Sequence, residues 1–317
     1  MNEKNPQEYK SITIAEDLNN LRADIALSRY LTVSRSLLIN NIKDKKITIN
    51  GKLKSVSQHV FSGDVIEFIY CKPPALEIKP QNIPLEILHE DDDLIIINKQ
   101  PGLVVHAGGG TRENTLVNAI AYHFSDMDDF TDSIRPGIVH RLDKDTSGVM
   151  IIAKKNSTME IIQNQFKQRI IEKEYHAIVF SNISEDITNI DKPIGRDPYD
   201  RKKMKVDGIK SRNAITKIEV IERFKNYCYV RAFPKTGRTH QIRVHLSYIK
   251  HPITGDSIYG GKNFSSVLNT NISRIMLHAH KISFTHPTLN IPVSYTAPIP
   301  NDFNALLEIL RKDKAQY

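Results

Sequence analysis

The chain has 317 residues, 40% hydrophobic and 25% charged, which suits one large globular domain plus a small one. No apolar run approaches the roughly 20 residues of a membrane-spanning helix, and the polar start, residues 1–10, lacks the apolar centre of a secretory signal. Two cysteines far apart, Cys71 and Cys228, exclude a disulfide framework or a cysteine-based zinc site and fit a reducing, cytoplasmic setting. The net charge of +8 favours an anionic partner, nucleic acid first, although a solvated basic surface accounts for the total equally well. Distribution decides: from Arg201 to Lys217 the chain carries Arg201, Lys202, Lys203, Lys205, Lys210, Arg212 and Lys217 against Asp207 alone. That is a local phosphate-attracting patch.

In chain order, residues 1–11 read as a loose tail. A small α+β module is expected over 12–74. A helical pattern carries Leu21, Ile25 and Leu27, and Ser34 is placed to cap a second helix holding Leu37 and Leu38. Residues 47–49 read as a strand, Asn50-Gly51 as a tight turn, and 65–70 as another strand after the Gly63-Asp64 turn. Prolines 73, 74, 80 and 84 interrupt regular structure, and a linker is placed over 75–83. A larger unit over 84–313 has strand candidates at 94–97, 148–153, 175–180, 214–221, 228–233 and 281–284. Its helix candidates are 114–122, 157–170 and 239–248; in the middle one Met159, Ile162, Phe166 and Ile170 share a face that reads as core packing. Strands outnumber helices and short turns separate them. The expected fold is α+β, with a mixed, largely antiparallel central sheet and a small N-terminal α+β module.

Two clusters carry chemistry. In His140-Arg141-Leu142-Asp143-Lys144-Asp145-Thr146-Ser147-Gly148 an acid with basic neighbours sits in a loop just before a buried strand. A surface ion-pair loop has the same pattern and is commoner. In the second, Lys235 to Leu246, Thr239 is placed to cap a helix whose face presents His240 and Arg243. A rigidly held arginine suits a carboxylate or phosphate, and a basic helix face in water is the plain alternative. The histidines His240, His245, His278, His280 and His286 raise a metal hydrolase, but acidic partners at ligand spacing are missing from the sequence. A glycosidase needs a second carboxylate, for which Asp145 is the only local candidate.

The first cluster resembles the HRLD-x-x-TSG signature of the RluA family of pseudouridine synthases, and the second its T-G-R-x-H-Q-I-R-x-H segment. Residues 90–102, Glu172-Lys173-Glu174-Tyr175 and residues 277–287 resemble three further family motifs in the same order, so the likeness runs over about 84–300. Residues 104–108 and 195–204 look closest to the RluD branch, which modifies 23S ribosomal RNA of the large subunit. Gln100 and Ala107 stand where the family usually has proline, which touches loop shape and not chemistry. The 12–74 module resembles the αL RNA-binding domain of a small-subunit ribosomal protein, through Leu21-Arg22-Ala23-Asp24, Ser34-Arg35-Ser36, Ile49-Asn50-Gly51-Lys52 and Gly63-Asp64.

The resemblance implies an RNA pseudouridine synthase working on ribosomal RNA or a pre-ribosomal particle as a monomer, without cofactor or metal. Asp143 matches the essential aspartate, as nucleophile or base. Arg243 matches its charge partner, and Tyr175 the tyrosine that stacks on uracil and helps take the ring proton. The target base must leave its stack; Arg141 would fill the space. His140, Thr146, Arg238, His240 and Lys203, with Arg35 and Lys46 in the small module, would hold the loop or grip RNA. A relative acting on another ribosomal or transfer RNA, or a non-catalytic RNA-binding assembly factor, is the alternative. The factor would not need Asp143, Tyr175 and Arg243 together.

Overall fold

The computed structural model describes residues 7–31, 33, 35–71, 78–106, 113–124, 137–200, 202–260 and 272–315. Ser34, Arg201 and Ala107-Gly108, all used above, lie outside them. The chain divides into two compact units, Met1–Glu77 and Ile78–Tyr317.

In the first unit the elements are β1 (Gln7–Thr13), β2 (Leu21–Arg22), α1 (Ala23–Tyr30), α2 (Arg35–Asn41), β3 (Lys46–Ile49), β4 (Lys52–Ser55), β5 (His59–Val60) and β6 (Val65–Cys71). Four of the strands form one antiparallel sheet in the order β1-β6-β3-β4. Along β6, Ile66, Phe68 and Tyr70 face inward at period two and meet Leu27, Leu38 and Ile47 in one core. Asn50 and Gly51 both take positive φ, as a two-residue hairpin between β3 and β4 requires. Residues 7–11, expected in a loose tail, instead belong to β1. It is an edge strand whose polar residues, Glu8, Lys10 and Ser11, conceal it in the sequence. Asp24 is fully buried beneath two guanidinium groups, 3.0 Å from Arg22 and 2.7 Å from Arg35.

The second unit is built on a nine-stranded sheet. Its elements are β7 (Glu86–Glu90), β8 (Leu94–Lys99), α3 (Leu116–His123), β9 (Ser147–Ala153), α4 (Asn156–Gln168), β10 (Glu172–Phe180), β11 (Ile187–Asp191), β12 (Ile194–Arg196), β13 (Met204–Val206), β14 (Ile209–Arg212), β15 (Ile215–Arg223), β16 (Tyr227–Pro234), α5 (Gln241–Tyr248), β17 (Leu277–Thr285), β18 (Pro292–Thr296) and α6 (Asn301–Ala315). The central sheet runs β11-β15-β16-β10-β17-β9-β8-β7, with β18 also paired to β17. Among the described strands only β9 and β17 pair in parallel, so the sheet is mixed and largely antiparallel, as expected. Strands β12, β13 and β14 form a separate small sheet that carries Lys205, Lys210 and Arg212 of the basic patch.

Strands β8 and β9 are continuous apolar runs because both of their faces are covered: every residue of β9 is buried, as are Leu94 to Ile97 in β8. The β9–β17 junction depends on one glycine. Gly148 sits at φ +120°, and a Cβ there would lie 2.2 Å from the carbonyl oxygen of Ala279. Only a residue without a side chain lets the two backbones meet. Beside it the buried His278 ring makes a 3.0 Å hydrogen bond to the Ser147 hydroxyl, which also accepts from Arg274 Nη1 at 3.3 Å.

Candidate active site

The loop between Ile138 and β9 carries Asp143. Its shape is set from below by Lys99 at the end of β8. Lys99 is completely buried, and its ammonium donates to the carbonyls of Gln100, Leu103 and Lys144 at 2.9, 3.0 and 3.0 Å. The Lys144 carbonyl also accepts from Gly102 N, and Thr146 N donates to the Asp143 carbonyl at 3.1 Å. The loop is therefore pinned on both sides of Asp143. Burial pushes Lys99 down to about 7, against the pull of the Asp145 and Asp143 carboxylates.

Arg243, on α5, meets that loop from 100 residues away. Its guanidinium is used on three sides. Nε and Nη2 donate to the two oxygens of Asp256 at 2.8 and 2.9 Å, and Nη1 donates to Asp143 Oδ2 at 3.0 Å. Asp256 is wholly buried and also accepts from the backbone of Ile258 and Tyr259 at 3.0 and 3.1 Å. The Tyr259 ring lies 5.1 Å from the guanidinium. Arg243 is thus a fixed cation, its pKa raised further by Asp256 and Asp143. Asp143 keeps 21% of its side chain exposed, enough for a substrate atom to reach it. His240 Nε2 is 3.8 Å from its other oxygen, and His240 Nδ1 bonds the Tyr259 hydroxyl at 2.8 Å. Burial lowers the pKa of His240, partly offset by Asp143.

These groups open on one cleft. Arg141, Thr146, Tyr175, Arg238 and His240, all expected at the site, line it together with Asp143 and Arg243. Thr146 is buried and its hydroxyl makes no hydrogen bond among the described residues. Tyr175 lies on β10 between Ala232 and Ala279 of the flanking strands, small neighbours that leave its ring room on the cleft wall. Burial and the negative charge of Asp143 raise its phenol pKa well above the ordinary value.

Other expected residues lie elsewhere. His140 turns into the fold: Nε2 accepts the Ile151 N–H at 2.9 Å and the ring packs 4.9 Å from Phe166. Burial pushes its pKa down to about 3, which keeps the ring neutral. Thr239 caps nothing. The N-cap of α5 is His240, in left-handed conformation at φ 55° with no side-chain cap bond. Lys203 sits before β13, outside the cleft lining, although the next residue ties that hairpin to the site through Met204 N donating to Tyr259 Oη at 2.9 Å. Arg35 and the exposed Lys46 belong to the first unit.

Asp256 and Tyr259 have no part assigned at the sequence level, and Lys99 and Lys173 fall inside family-like motifs without an assigned role. Lys173 lines the cleft, donates to the Thr236 carbonyl at 3.2 Å, and is pushed down to about 8 by burial. Gln241 was visible only as part of a motif. Its Oε1 accepts from Thr236 Oγ1 and Arg238 N at 2.6 and 3.0 Å, while Nε2 donates to the Ile215 carbonyl and Thr216 Oγ1 at 2.9 and 3.0 Å. It knits the loop before α5 to the sheet.

A carboxylate faced by an immobile guanidinium, in a half-open cleft with an aromatic wall, is the equipment of an enzyme active site. Comparison with known proteins gives the class. Residues 93–248 match the family model described as RNA pseudouridylate synthase. An uncharacterized RNA pseudouridine synthase of Bacillus subtilis is 37% identical, covering 95% of this chain and 98% of its own. The ribosomal large subunit pseudouridine synthases D of Haemophilus ducreyi and Escherichia coli O157:H7 are 38% and 36% identical over 96% and 95% of this chain, and 95% and 94% of theirs. The solved structure of human RNA pseudouridylate synthase domain containing 4 aligns with a TM-score of 0.57 and 28% identity, covering 71% of this chain and 93% of that one. The chain belongs to the RNA pseudouridylate synthase family, as the resemblance to its RluA members implied, and is an isomerase of RNA uridines.

Proposed function

We propose that this enzyme isomerises uridines in large-subunit ribosomal RNA, acting in the cytoplasm as a monomer on the RNA or a pre-ribosomal particle, with Asp143 as the reacting carboxylate. The observation that carries the chemistry is the Asp256–Arg243–Asp143 chain at 2.8–3.0 Å beside Tyr175 in one cleft. The substrate class rests on the relatives named as large-subunit pseudouridine synthases and on the basic patch around β13 and β14.

The reaction breaks the bond from the sugar C1′ to N1 of uracil and forms one from C1′ to C5. The C5 proton is lost and N1 gains one, so nothing is oxidised and no outside group enters. Asp143 begins the sequence by attacking the sugar or removing a sugar proton; both need its oxygen free and charged. Arg243 holds that charge in place, preorganised by Asp256 and not by the substrate. Tyr175 presents a flat face for the uracil. Burial and the Asp143 charge raise its phenol pKa, and stacking on the ring is the role assigned to it here. Arg141, beside Asp143 and more than a third exposed, fills the gap left by the extruded base. Lys173, Arg238 and the patch lysines take phosphates.

The test is a map of pseudouridines in large-subunit RNA from cells with the wild-type gene, with Asp143→Asn, and without the gene. Loss of the same sites in the last two, with RNA affinity of the purified variant within a few fold of wild type, is expected. Full turnover by Asp143→Asn refutes the mechanism. Unchanged large-subunit RNA with losses in transfer RNA redirects the substrate.

A further inference from the structure

On the face of β10 opposite Tyr175 lies a second group of side chains that this chemistry does not use. Glu174 and His176 flank Tyr175 in sequence, so the strand period turns both to the other side of the sheet. Strand β17 pairs Lys281 with Glu174 and Ala279 with Tyr175, leaving His280 as the extra residue of a β-bulge. A bulge re-aims the side chain it carries. One nitrogen of each imidazole and one oxygen of Glu174 come within 4.8 Å of one another, and the two rings lie 4.3 Å apart.

We propose that Glu174, His176 and His280 form a binding site for a first-row transition metal ion, Zn²⁺ above all, which clamps the bulge behind the active-site tyrosine. Two imidazoles and a carboxylate are a donor set that Zn²⁺ takes readily, with the fourth position left to water. Around a tetrahedral ion with bonds of about 2.1 Å the donor atoms stand about 3.4 Å apart. His176 Nε2 and Glu174 Oε1 are already 3.0 Å apart, close to that separation.

The outer contacts are those a metal site needs. His280 Nδ1 is 2.9 Å from the Ala297 carbonyl. A carbonyl only accepts, so Nδ1 carries the proton and Nε2 of the neutral ring keeps a lone pair for an ion. His176 Nδ1 is 2.5 Å from the Tyr229 hydroxyl. Without metal, Nε2–H donates to Glu174 and the tyrosine donates to Nδ1. With metal on Nε2 the ring proton moves to Nδ1, and the tyrosine oxygen accepts it. The nearby cation, Arg231, is engaged by Glu219 at 2.7 Å.

The other grouping of this kind, Asp91, Asp93 and His286, lacks this freedom. Asp91 already accepts the Asp93 and Leu94 amides at 2.8 Å, with His89 at 2.9 Å and His286 at 3.1 Å. Asp93 is paired with Lys155 at 3.1 Å. It is a knotted turn.

Metal binding stands on these residues alone; its consequence for Tyr175 rests on the stacking role assigned above. Chelator-treated full-length protein is titrated with Zn²⁺ by calorimetry and with Co²⁺ by visible absorption. One ion per chain in the micromolar range or tighter is expected, with Co²⁺ bands typical of four or five ligands. His280→Ala and Glu174→Gln should each weaken the site at least tenfold while His286→Gln leaves it unchanged. Circular dichroism on each variant separates loss of the site from loss of the fold, and Glu174→Gln preserves shape if His280→Ala does not fold. No binding below about 100 µM (above roughly −5.5 kcal/mol) by the wild type overturns the inference. So do titrations of wild type and Glu174→Gln that superimpose.

Discussion

Replacing Arg243 by lysine keeps the charge and removes the geometry. An ammonium is a single point and cannot hold both oxygens of Asp256 while reaching Asp143. It should remain with Asp256, which is completely buried and offers two oxygens at 2.8 and 2.9 Å, and abandon Asp143 at 3.0 Å. A hydrogen bond to a charged partner contributes about 1.5–3 kcal/mol. At about 1.4 kcal/mol per factor of ten, the chemical step should slow by about 10- to 150-fold. Stability should fall far less than the roughly 3–5 kcal/mol of an alanine variant, which would strand a buried carboxylate. The assay is single-turnover release of tritium from RNA carrying [5-³H]uridine, because C5 loses its hydrogen in the isomerisation. RNA affinity should change little, since only 9% of the Arg243 side chain is exposed. A single-turnover rate within twofold of wild type, in a folded Arg243→Lys protein, would refute the idea that the guanidinium positions and stabilises Asp143.

Two further outcomes concern stability. Gly148→Ala puts a methyl group 2.2 Å from the Ala279 carbonyl at φ +120°, and should cost at least about 3 kcal/mol or prevent folding; a drop under about 1 kcal/mol in denaturant melts would contradict the close approach of β9 and β17. The second is acid sensitivity. His278 is pushed down to about 4 by burial, from an ordinary value near 6.5, so the unfolded chain takes up its proton first. Its neutral form supports the fold fully above about pH 6.5, and that support is lost as pH falls toward 4, by up to about 3 kcal/mol. His278→Gln should flatten the stability curve in that window, and denaturant midpoints measured at each pH decide it.

The elements most visible in the sequence are the ones both of whose faces are covered. Leu94 to Ile97 and Gly148 to Ala153 announce strands because nothing polar interrupts them. Strand β4 is exposed along its length, and β14 likewise, so no hydrophobic period marks them. Helix α6 stood outside the expected elements although Phe303, Leu306, Leu307 and Leu310 repeat at helical spacing and are all buried. At the site, local pattern alone left Asp143 as an acid in a loop. Its meeting with Arg243, 100 residues on, was carried by likeness to known motifs. Asp256 acts through a contact that no spacing encodes, buried under an arginine, and Lys99, inside a recognised motif, shows its role only through the carbonyls of its own and a distant loop. His140 shows the converse, a motif residue whose ring nitrogen belongs to the backbone of Ile151.

The parallel seam between β9 and β17 has a bearing on how the protein is made. Ser147 and His278 are 131 residues apart, and β9, which follows directly on the Asp143 loop, has β17 as its neighbour on one side. At the ribosome the amino-terminal half of the larger unit emerges well before that neighbour exists. Closing so long a loop is among the slower events of folding. The nascent chain can therefore complete its first unit, with its own core, long before it can do chemistry. Catalytic competence should arrive abruptly, only once β17 has left the exit tunnel.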